Sequence, residues 1–286
     1  MEHSSSTRKK INRRKIIIWL IVIILLILFC YYENNHLVVT YYTYSSSDVC
    51  EGLDGYRIVQ LSDLHNATFG AGNSRLLDKV DSLEPDMVVL TGDIVDGNRT
   101  DISVAVELAK QLVNRYPTYY ITGNHEYFLS EEDRSQLIEG LKSAGVVVLD
   151  SEVITIDAGE EHFYLAGLDD EDLIGDTLDG LIRDIPVDEL IIVLAHEPDF
   201  FEKYYSKTQA DLVLSGHAHG GQFRLPFIGP VVAPGQGFNP EYAQGEFELN
   251  GTTMIVSRGL GNSIIPLRLF NDPEIVCVDL KRLSSS

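Results

Sequence analysis

Sulfur is scarce in this sequence. Its 286 residues contain three cysteines, and no two of them are spaced as Cys-x-x-Cys. Structural zinc sites built from thiolates need such pairs, so the sequence gives no indication of one. Cys30 lies in an apolar run near the N-terminus, whereas Cys50 and Cys277 lie in the rest of the chain. Whether these two form a disulfide is left open by the sequence.

Two kinds of phosphate-binding loop are also absent. No Gly-x-x-x-x-Gly-Lys-Ser/Thr motif occurs, which excludes a nucleoside triphosphatase of the P-loop kind. The glycines of "FGAGNSR" lack the third glycine of a dinucleotide-binding loop, and no strand pattern directly precedes them. A dinucleotide-binding fold is therefore not indicated.

Basic residues are few and unevenly placed. The chain has 22 Lys and Arg against 43 Asp and Glu, and residues 1–15 hold six of the basic residues but one of the acidic ones. The rest of the chain therefore has 16 basic and 42 acidic residues, a net charge of −26. Such a domain repels polyanions, and we expect no nucleic-acid partner.

A long apolar run follows the basic residues. Residues 16–32, "IIIWLIVIILLILFCYY", carry no charge and are long enough to cross the core of a bilayer, which is about 30 Å thick. The run ends in aromatic residues rather than a small-residue cleavage site, which favours an uncleaved signal anchor. We predict a cytoplasmic basic flank (1–15), a transmembrane anchor (16–32), a linker (33–54) and one domain (55–283). The positive-inside rule places that domain on the extracytoplasmic side of the plasma membrane.

A pattern recurs within the domain: a short apolar or β-branched run ends abruptly in a polar group. The runs "YRIVQLS", "MVVLTG", "YYITG", "IIVLA" and "DLVLSG" are typical of buried strands. Amphipathic stretches lie between them, such as "SEEDRSQLIEGLKSAG", with Ser130 as predicted N-cap and Gly145 as predicted C-terminal stop. This alternation predicts an α/β fold, in which ligands bind beyond the carboxyl ends of the strands.

The polar groups at these strand ends form a set of metal-type ligands. Oxygen and nitrogen without sulfur suit Mn, Fe, Co or Zn. Asp63 and His65 are separated by one residue, as are His217 and His219, and in extended backbone each pair would point to one side. The set exceeds what one tetrahedral ion needs, so we predict two divalent or mixed-valence first-row transition metal ions that share a carboxylate.

Each motif alone has a simpler interpretation as a cap or a turn, but their order is informative. The series "SDLH", "GDIVDG", "GNHEY", "AHEP" and "GHAHGGQ" resembles the calcineurin-like metallophosphoesterases over about residues 55–280. "SRGLGNSIIPLRLFNDPEI" is similar to the membrane-associated bacterial branch, some of whose members act as phosphodiesterases on envelope lipid precursors. The resemblance implies a four-layer α-β-β-α sandwich, with two mixed sheets packed together and helices outside.

The resemblance also implies roles for the ligand set. The first ion would be held by Asp63, His65 and His219. The second would be held by Asn124, His196 and His217, with Asp93 bridging the two. A hydroxide shared by the ions would be the nucleophile.

Four further residues receive expectations from the resemblance. His125 would stabilise a phosphoryl oxygen or protonate the leaving oxygen, and Asp96 would orient His125. Glu126 stands where many relatives have Asp, and its role stays open. Arg258 would contact the substrate phosphate, and a structural pairing with an acidic neighbour is an equal alternative.

We therefore expect a membrane-anchored phosphodiesterase acting on a cell-envelope or lipid-linked phosphodiester or pyrophosphate. Two alternatives remain: a phosphomonoesterase or nucleotide phosphodiesterase with soluble substrates, and a metal-containing binding module without catalysis, against which His125 and Asp96 argue. The acidic segment 169–179 is most simply solvated, and a lid over the site is the other interpretation. The sequence leaves the oligomeric state open.

Overall fold

The structure is a computed structural model that describes residues 3–283 except residue 264, with side chains from residue 13 onward. Its first element is the apolar helix α1 (His3–Asn35). Within it, Arg13–Asn35 has a mean hydropathy of 2.7 and is almost entirely exposed, so it is long and apolar enough to cross a membrane. Of the predicted basic flank, the side chains of residues 1–12 lie outside the described residues.

In the described part of the chain, twelve of the strands form two mixed six-stranded sheets. The first has the order β1 (Val38–Ser46), β16 (Glu274–Arg282), β2 (Arg57–Leu61), β3 (Met87–Thr91), β4 (Thr118–Ile121), β5 (Val147–Val148). The second has the order β14 (Gly245–Leu249), β15 (Thr252–Val256), β9 (Leu212–Ser215), β8 (Ile191–Leu194), β7 (Glu161–Gly167), β6 (Glu152–Ala158). Pairing is parallel from β2 to β5 and from β15 through β9 and β8 to β7.

Helices cover the outer faces of both sheets. The first sheet carries α2 (Ser74–Asp81), α3 (Ile102–Val113) and α5 (Glu131–Ala144), and the second carries α6 (Thr177–Ile182). Ser130 accepts a hydrogen bond from the Asp133 N–H and Gly145 ends α5 with φ of 102°, which confirms both predicted helix boundaries. The remaining elements are α4 (Asn124–Tyr127) and two hairpins, β10 (Arg224–Leu225) with β11 (Gly229–Pro230) and β12 (Val232–Ala233) with β13 (Gly237–Phe238).

The apolar residues explain the layering. Strand residues alternate between a core shared by the two sheets, which includes Ile58, Val89 and Leu214, and outer cores beneath the helices. Because both faces of each central strand are covered, these strands are continuously apolar in sequence. The four-layer α-β-β-α fold with one preceding apolar helix is thus confirmed.

The segment predicted as a linker differs from that expectation. Val38–Ser46 forms an edge strand, paired in parallel with β16 over all nine residues. Only His36 and Leu37 separate it from α1, and Tyr44 is buried in the core between the sheets. Its β-branched and aromatic residues favour a strand, and this strand pairs with backbone groups at the edge of β16 that would otherwise be exposed. The domain therefore includes β1, and α1 joins it with almost no intervening chain.

Cys50 and Cys277 are free thiols. Cys50 packs against the core between the sheets, whereas Cys277 packs into the core beneath α2, α3 and α5. The two side chains lie on different faces of the first sheet, so the disulfide left open by the sequence does not form in this structure.

Candidate metal centre

The carboxyl ends of parallel strands from both sheets meet at one edge of the domain. In the first sheet Leu61 of β2 pairs with Leu90 of β3, and in the second Leu194 of β8 pairs with Leu214 of β9. Each of these strands, like β4, delivers its first candidate ligand two or three positions beyond its last residue, and His65 and His219 lie four positions beyond β2 and β9. This is the position at which open α/β sheets bind ligands.

The predicted ligands converge into two buried clusters that share one carboxylate. The first cluster contains Asp63, His65, Asp93 and His219, and the second contains Asp93, His196 and His217. Within each cluster the candidate ligand atoms lie within 4.8 Å of one another. The structure thus brings together the two groups that the resemblance implied, with Asp93 between them.

In the first cluster the distances are short. His65 Nε2 lies 3.2 Å from His219 Nε2 and 3.5 Å from Asp93 Oδ2. His219 Nε2 lies 3.5 Å from Asp63 Oδ1.

In the second cluster His196 Nε2 lies 3.3 Å from Asp93 Oδ2 and 3.3 Å from His217 Nδ1. Asn124 Oδ1 lies 2.8 Å from His217 Nδ1, so Asn124 joins this group. Two ligand atoms on one tetrahedral ion, each about 2.0–2.1 Å from it, are separated by about 3.3 Å. The observed spacings therefore fit metal ligation.

The ionisation of His65, His217 and His219 is also suited to metals, since the pKa of each is lowered. Burial lowers the pKa of His65 and of His217 to about 3, which keeps both imidazoles neutral. Neutral imidazole is the form that binds a metal ion. Burial alone would raise the pKa of Asp93, but the neighbouring imidazole of His196, whose own pKa Asp93 raises well above its usual value, holds it below its usual range. The donor set therefore fits a pair of ions.

Backbone conformation aims these side chains. Asp63, His65 and Asp93 have φ of 50°, 45° and 51°, and His217 and His219 have 64° and 49°. These residues lie in the left-handed region, which costs about 1–3 kcal/mol each and persists where the surroundings enforce it. The expectation that each pair points to one side through extended backbone was wrong, because the strands end before both pairs.

One contact enforces this conformation across the two sheets. The Asp63 carboxylate accepts the His217 N–H, at 3.0 and 3.1 Å for its two oxygens. Gly216 lies between them, and a Cβ at this position would collide with the side chains of Ser62 and Asp63. A glycine is required because the two ligand loops approach each other so closely.

Glu126, whose role the sequence left open, is a structural bracket for the ligand loops. Its buried carboxylate accepts N–H bonds from Gly123 at 2.7 Å and from Asp93 and Ile94 at 2.9 Å. These bonds join the loop that carries Asp93 to the loop that carries Asn124. A carboxylate three residues into α4 also suits the positive end of the helix.

Sequence reasoning missed the groups that hydrogen-bond to the second cluster and to the strands that carry it. His196 Nδ1 donates to the Thr91 carbonyl at 2.8 Å, which directs Nε2 toward Asp93. The buried Gln60 donates to Thr91 Oγ1 and to the Ser215 carbonyl, both at 2.9 Å, and so ties the two sheets together. A polar residue inside the apolar run "YRIVQLS" was the available signal.

His125 lies beside the first cluster, with its ring centroid 4.4 Å from that of His65. Its Nδ1 accepts the Gly97 N–H at 3.1 Å, and its Nε2 lies 3.1 Å from Ser263 Oγ. Asp96 Oδ1 is 3.8 Å from Nδ1, beyond hydrogen-bond distance, so Asp96 does not orient the ring directly as predicted. Ser263 was missed by sequence reasoning.

Asp96 instead organises the loop that carries Gly97. It accepts the Asn98 N–H at 2.9 Å, and its Oδ2 accepts Nε and Nη2 of Arg99 at 2.9 and 2.6 Å. Burial would raise the pKa of Asp96, but these hydrogen bonds outweigh it and lower the pKa below its usual value. The carboxylate therefore stays charged and fixes the turn.

Two cavities adjoin the clusters. One, of about 370 Å³, is lined by His65, and the other, of about 520 Å³, is lined by His125. Arg99 and Pro266 line both, and the Arg99 side chain is mostly exposed. Arg99 was not among the predicted site residues.

Arg258, which was predicted to contact substrate, points elsewhere. Its Nη2 lies 3.1 Å from Glu274 Oε1, and its N–H donates to Glu274 Oε2 at 2.8 Å. Because Glu274 is buried and needs a counter-ion, the Arg258 guanidinium pairs with it. The structural alternative stated for Arg258 is the one that the structure shows.

The acidic segment 169–179 is not simply solvated. Asp169 is buried and accepts hydrogen bonds from Thr122 Oγ1 at 3.0 Å and from the Tyr127 hydroxyl. Leu173 and Leu178 pack into the core beneath the second sheet. The segment therefore supports the loop around Asn124, while Glu171 and Asp172 remain exposed.

Known proteins are similar to this chain over the region that contains the candidate metal ligands. The sequence model of the calcineurin-like phosphoesterase family matches residues 56–221, which include all seven candidate metal ligands. The chain is 31% identical over 247 residues to the uncharacterized metallophosphoesterase YkuE of Bacillus subtilis, covering 84% of each chain.

Two further relatives carry more specific names. The chain is 31% identical over 232 residues to the phosphodiesterase YaeI of Escherichia coli, covering 79% of this chain and 82% of YaeI. It is 31% identical over 251 residues to a transmembrane protein with metallophosphoesterase domain of Danio rerio. That match covers 81% of this chain and 54% of the fish protein, so the chain spans about half of it.

Proposed function

The chain belongs to the calcineurin-like phosphoesterase family, and from this premise we propose that it is a two-metal phosphodiesterase acting on a lipid-linked phosphodiester or pyrophosphate of the cell envelope. The observation that carries the proposal is the pair of buried ligand clusters sharing Asp93, with His125 and Arg99 lining the adjoining cavities.

The residues that would hold the ions follow from the clusters. The first ion would take Asp63, His65 and His219, the second Asn124, His196 and His217, and Asp93 would bridge them. Mn, Fe, Zn and Co all suit this oxygen and nitrogen set, and supply decides among them. When bound, two such ions would supply a hydroxide nucleophile at neutral pH and neutralise the phosphoryl oxygens.

His125 is placed to move a proton. Because the Gly97 N–H occupies Nδ1, the neutral ring carries its own proton on Nε2, which faces Ser263 Oγ and the larger cavity. That proton is available to the leaving oxygen of a substrate in this cavity. Asp96 supports the reaction through the turn that presents Gly97 and through Arg99.

Two observations favour a diester over a monoester. Arg99 and Pro266 line both cavities, one of which reaches His65 and the other His125, so a phosphate held at the metal centre would have room for one substituent in each. The relative YaeI is named a phosphodiesterase. Arg99 keeps one guanidinium nitrogen free of Asp96, which suits a non-bridging phosphate oxygen.

The membrane anchor favours a lipid-linked substrate. One helix at the N-terminus is apolar enough to span a membrane, and a transmembrane relative shares the domain. We propose that this helix anchors the chain in the plasma membrane with its N-terminus in the cytoplasm and the domain outside, because six basic residues precede the apolar run.

The test is hydrolysis by the full chain in detergent micelles, stripped of metal and reloaded with Mn, Fe, Co or Zn. The full chain is used because removal of residues 1–46 would delete β1. We expect metal-dependent cleavage of bis(p-nitrophenyl) phosphate exceeding that of p-nitrophenyl phosphate. Asp93→Asn should lose it by more than about 100-fold, whereas the exposed Asp188→Asn should retain it.

Other outcomes contradict the proposal in different ways. A preference for the monoester would indicate a phosphatase with soluble substrates. No turnover with two ions bound would indicate a binding module that keeps its metals for structure.

A further inference from the structure

Two segments near the metal centre expose large apolar side chains. The hairpin of β10 and β11 carries "LPFI" at its tip, where Phe227 is fully exposed and Ile228 is 68% exposed. On the second segment Ile265 is 44% and Phe270 is 50% exposed. We call Leu225–Ile228 together with Ile265 and Phe270 the apolar rim. Large apolar side chains exposed on two segments that are joined to each other are a feature of interaction sites.

Hydrogen bonds fasten the two segments into one unit. Arg224 N–H donates to the Leu269 carbonyl at 2.9 Å, and Phe223 pairs with Leu269 as a parallel bridge. Gln222 Nε2 donates to the carbonyls of Ile265 and Leu267 at 2.9 and 3.0 Å. Because the bridge is parallel, the chain entering the hairpin tip advances in the same direction as the chain approaching Phe270.

The rim is continuous with the helix that can span the membrane. The Phe270 ring lies 5.5 Å from the ring of Phe29, which belongs to the apolar run of α1. The Arg268 N–H and Asn262 Nδ2 both donate to Asn34 Oδ1, at 3.2 and 2.7 Å. Phe270 of the rim therefore meets α1 near the end of its apolar run, two and three residues before the exposed Tyr31 and Tyr32. Aromatic residues at such a level mark the membrane–water interface.

The charge around the rim differs from that of the rest of the domain. Residues 216–240 and 257–271 contain three arginines and no acidic residue, although acidic residues outnumber basic ones by 42 to 16 after residue 15. These two stretches can approach phosphate head groups with less repulsion than the acidic remainder of the domain, and Asp272, which follows the second stretch, is paired with His36.

The rim is also joined to the catalytic site. Asn271 Nδ2 donates to the His219 carbonyl at 2.7 Å, while the Asn271 N–H donates to Glu33 of α1 at 3.2 Å. Ser263 contacts His125, and Pro266 lines both cavities. One loop therefore borders the site, the rim and the membrane helix.

We infer that the apolar rim inserts into the outer face of the bilayer that α1 crosses and holds the cavities of Arg99 and Pro266 at head-group level. The burial of Phe227 and Ile228 in the interface removes from water the apolar surface that the fold leaves uncovered. The docking itself is independent of the substrate, and its consequence for a lipid-linked phosphodiester rests on the proposed function.

Tryptophan fluorescence tests the insertion directly. Trp19 is the sole tryptophan, so the full chain carrying Trp19→Phe and Phe227→Trp reports from the rim alone. It is reconstituted in phosphatidylcholine vesicles with and without lipids brominated near the top of the acyl chains. We expect blue-shifted emission and at least about twofold quenching by the brominated lipids.

A matched control defines the contrary result. Val187 is 85% exposed and precedes β8, at the end of the sheet opposite the metal ligands. Trp19→Phe with Val187→Trp should not be quenched. Equal quenching of the two variants would overturn the inference. So would a blue shift without quenching in a protein that cross-links as a dimer, which would identify the rim as an interface between copies.

The double variant Phe227→Asp/Ile228→Asp tests the consequence for catalysis. We expect KM for a phosphodiester embedded in vesicles to rise about tenfold, with turnover of soluble bis(p-nitrophenyl) phosphate unchanged. Equal losses of activity on both substrates would show that the two residues have a structural role instead. No loss of activity on either substrate would contradict the idea that the rim brings lipid-linked substrate to the cavities. Absence of any diesterase activity in the wild type would contradict the proposed function and leave the quenching result intact.

Discussion

The metal-ligand clusters and the apolar rim border the same cavities but are built in opposite ways. In the clusters, six polar side chains are drawn out of water beside the half-buried Asn124, and contacts from within the domain aim them. In the rim, apolar side chains project out of the domain and are held only at their base. The first arrangement gathers buried oxygen and nitrogen donors, and the second exposes apolar side chains. The first suits the proposed metal ions, and the second suits the proposed contact with a membrane.

Of the changes considered, replacement of His125 should have the largest effect, and it acts on catalysis at the metal-ligand clusters. His125→Ala removes the proton on Nε2 but no predicted metal ligand, so turnover of bis(p-nitrophenyl) phosphate should fall by about 10²–10⁴-fold with two ions still bound. Turnover and metal content measured on the same sample check this. His162→Ala, at the half-exposed start of β7, should change neither. Loss of bound metal along with activity would mean that His125 acts as a ligand.

Glu126→Gln weakens the hydrogen bonds that join the two ligand loops and leaves every candidate ligand in place. The amide has one acceptor oxygen where the carboxylate has two, so at least one buried N–H of Gly123, Asp93 or Ile94 loses its partner. Metal affinity should fall by about 10- to 100-fold. Titration of the metal-free full chain measures it. The exposed Glu131→Gln in α5 is the control, and equal affinity in both variants would contradict the bracket role.

Asn34→Ala acts on the rim and should have the smallest effect. It removes the acceptor for Asn262 Nδ2 and the Arg268 N–H, which costs about 1–3 kcal/mol and loosens the loop that carries Phe270. We expect Tm in micelles to fall by a few degrees and vesicle-bound substrate to be affected more than soluble substrate. Asn35→Ala, which loses an exposed bond to the Tyr31 carbonyl, should leave both unchanged. If the two variants behave alike, the loop does not depend on α1.

The convergence of the candidate ligands was predictable from sequence because its signal is local. Each ligand lies directly after a short apolar run, and parallel strands bring such positions to one edge whatever the details of packing. The pairing within that edge was not predictable in the same way. That Asp63 accepts the His217 N–H depends on two loops 154 residues apart meeting in left-handed conformation, which no local pattern specifies.

Residues outside the ligand set were predicted less well, for a related reason. Arg258 follows a strand and so resembles a site residue. Its guanidinium instead forms an ion pair with Glu274, the first residue of β16 in the other sheet. Arg99 lies in an unremarkable loop, and only the packing of that loop beside Pro266 places it at both cavities. Asp96 carries the expected carboxylate, yet its hydrogen bonds go to Asn98 and Arg99 rather than to His125.

By itself, the sequence determined the apolar helix, the alternating strands and helices, and the oxygen and nitrogen donors at the strand ends, because each depends on neighbours along the chain. The tertiary structure alone decided that Val38–Ser46 closes a sheet edge, that Glu126 brackets the ligand loops, and that the rim lies beside Phe29. Those outcomes depend on partners far apart in sequence, and the physical reason is the same in each: a buried or edge group takes whichever partner the completed fold brings to it.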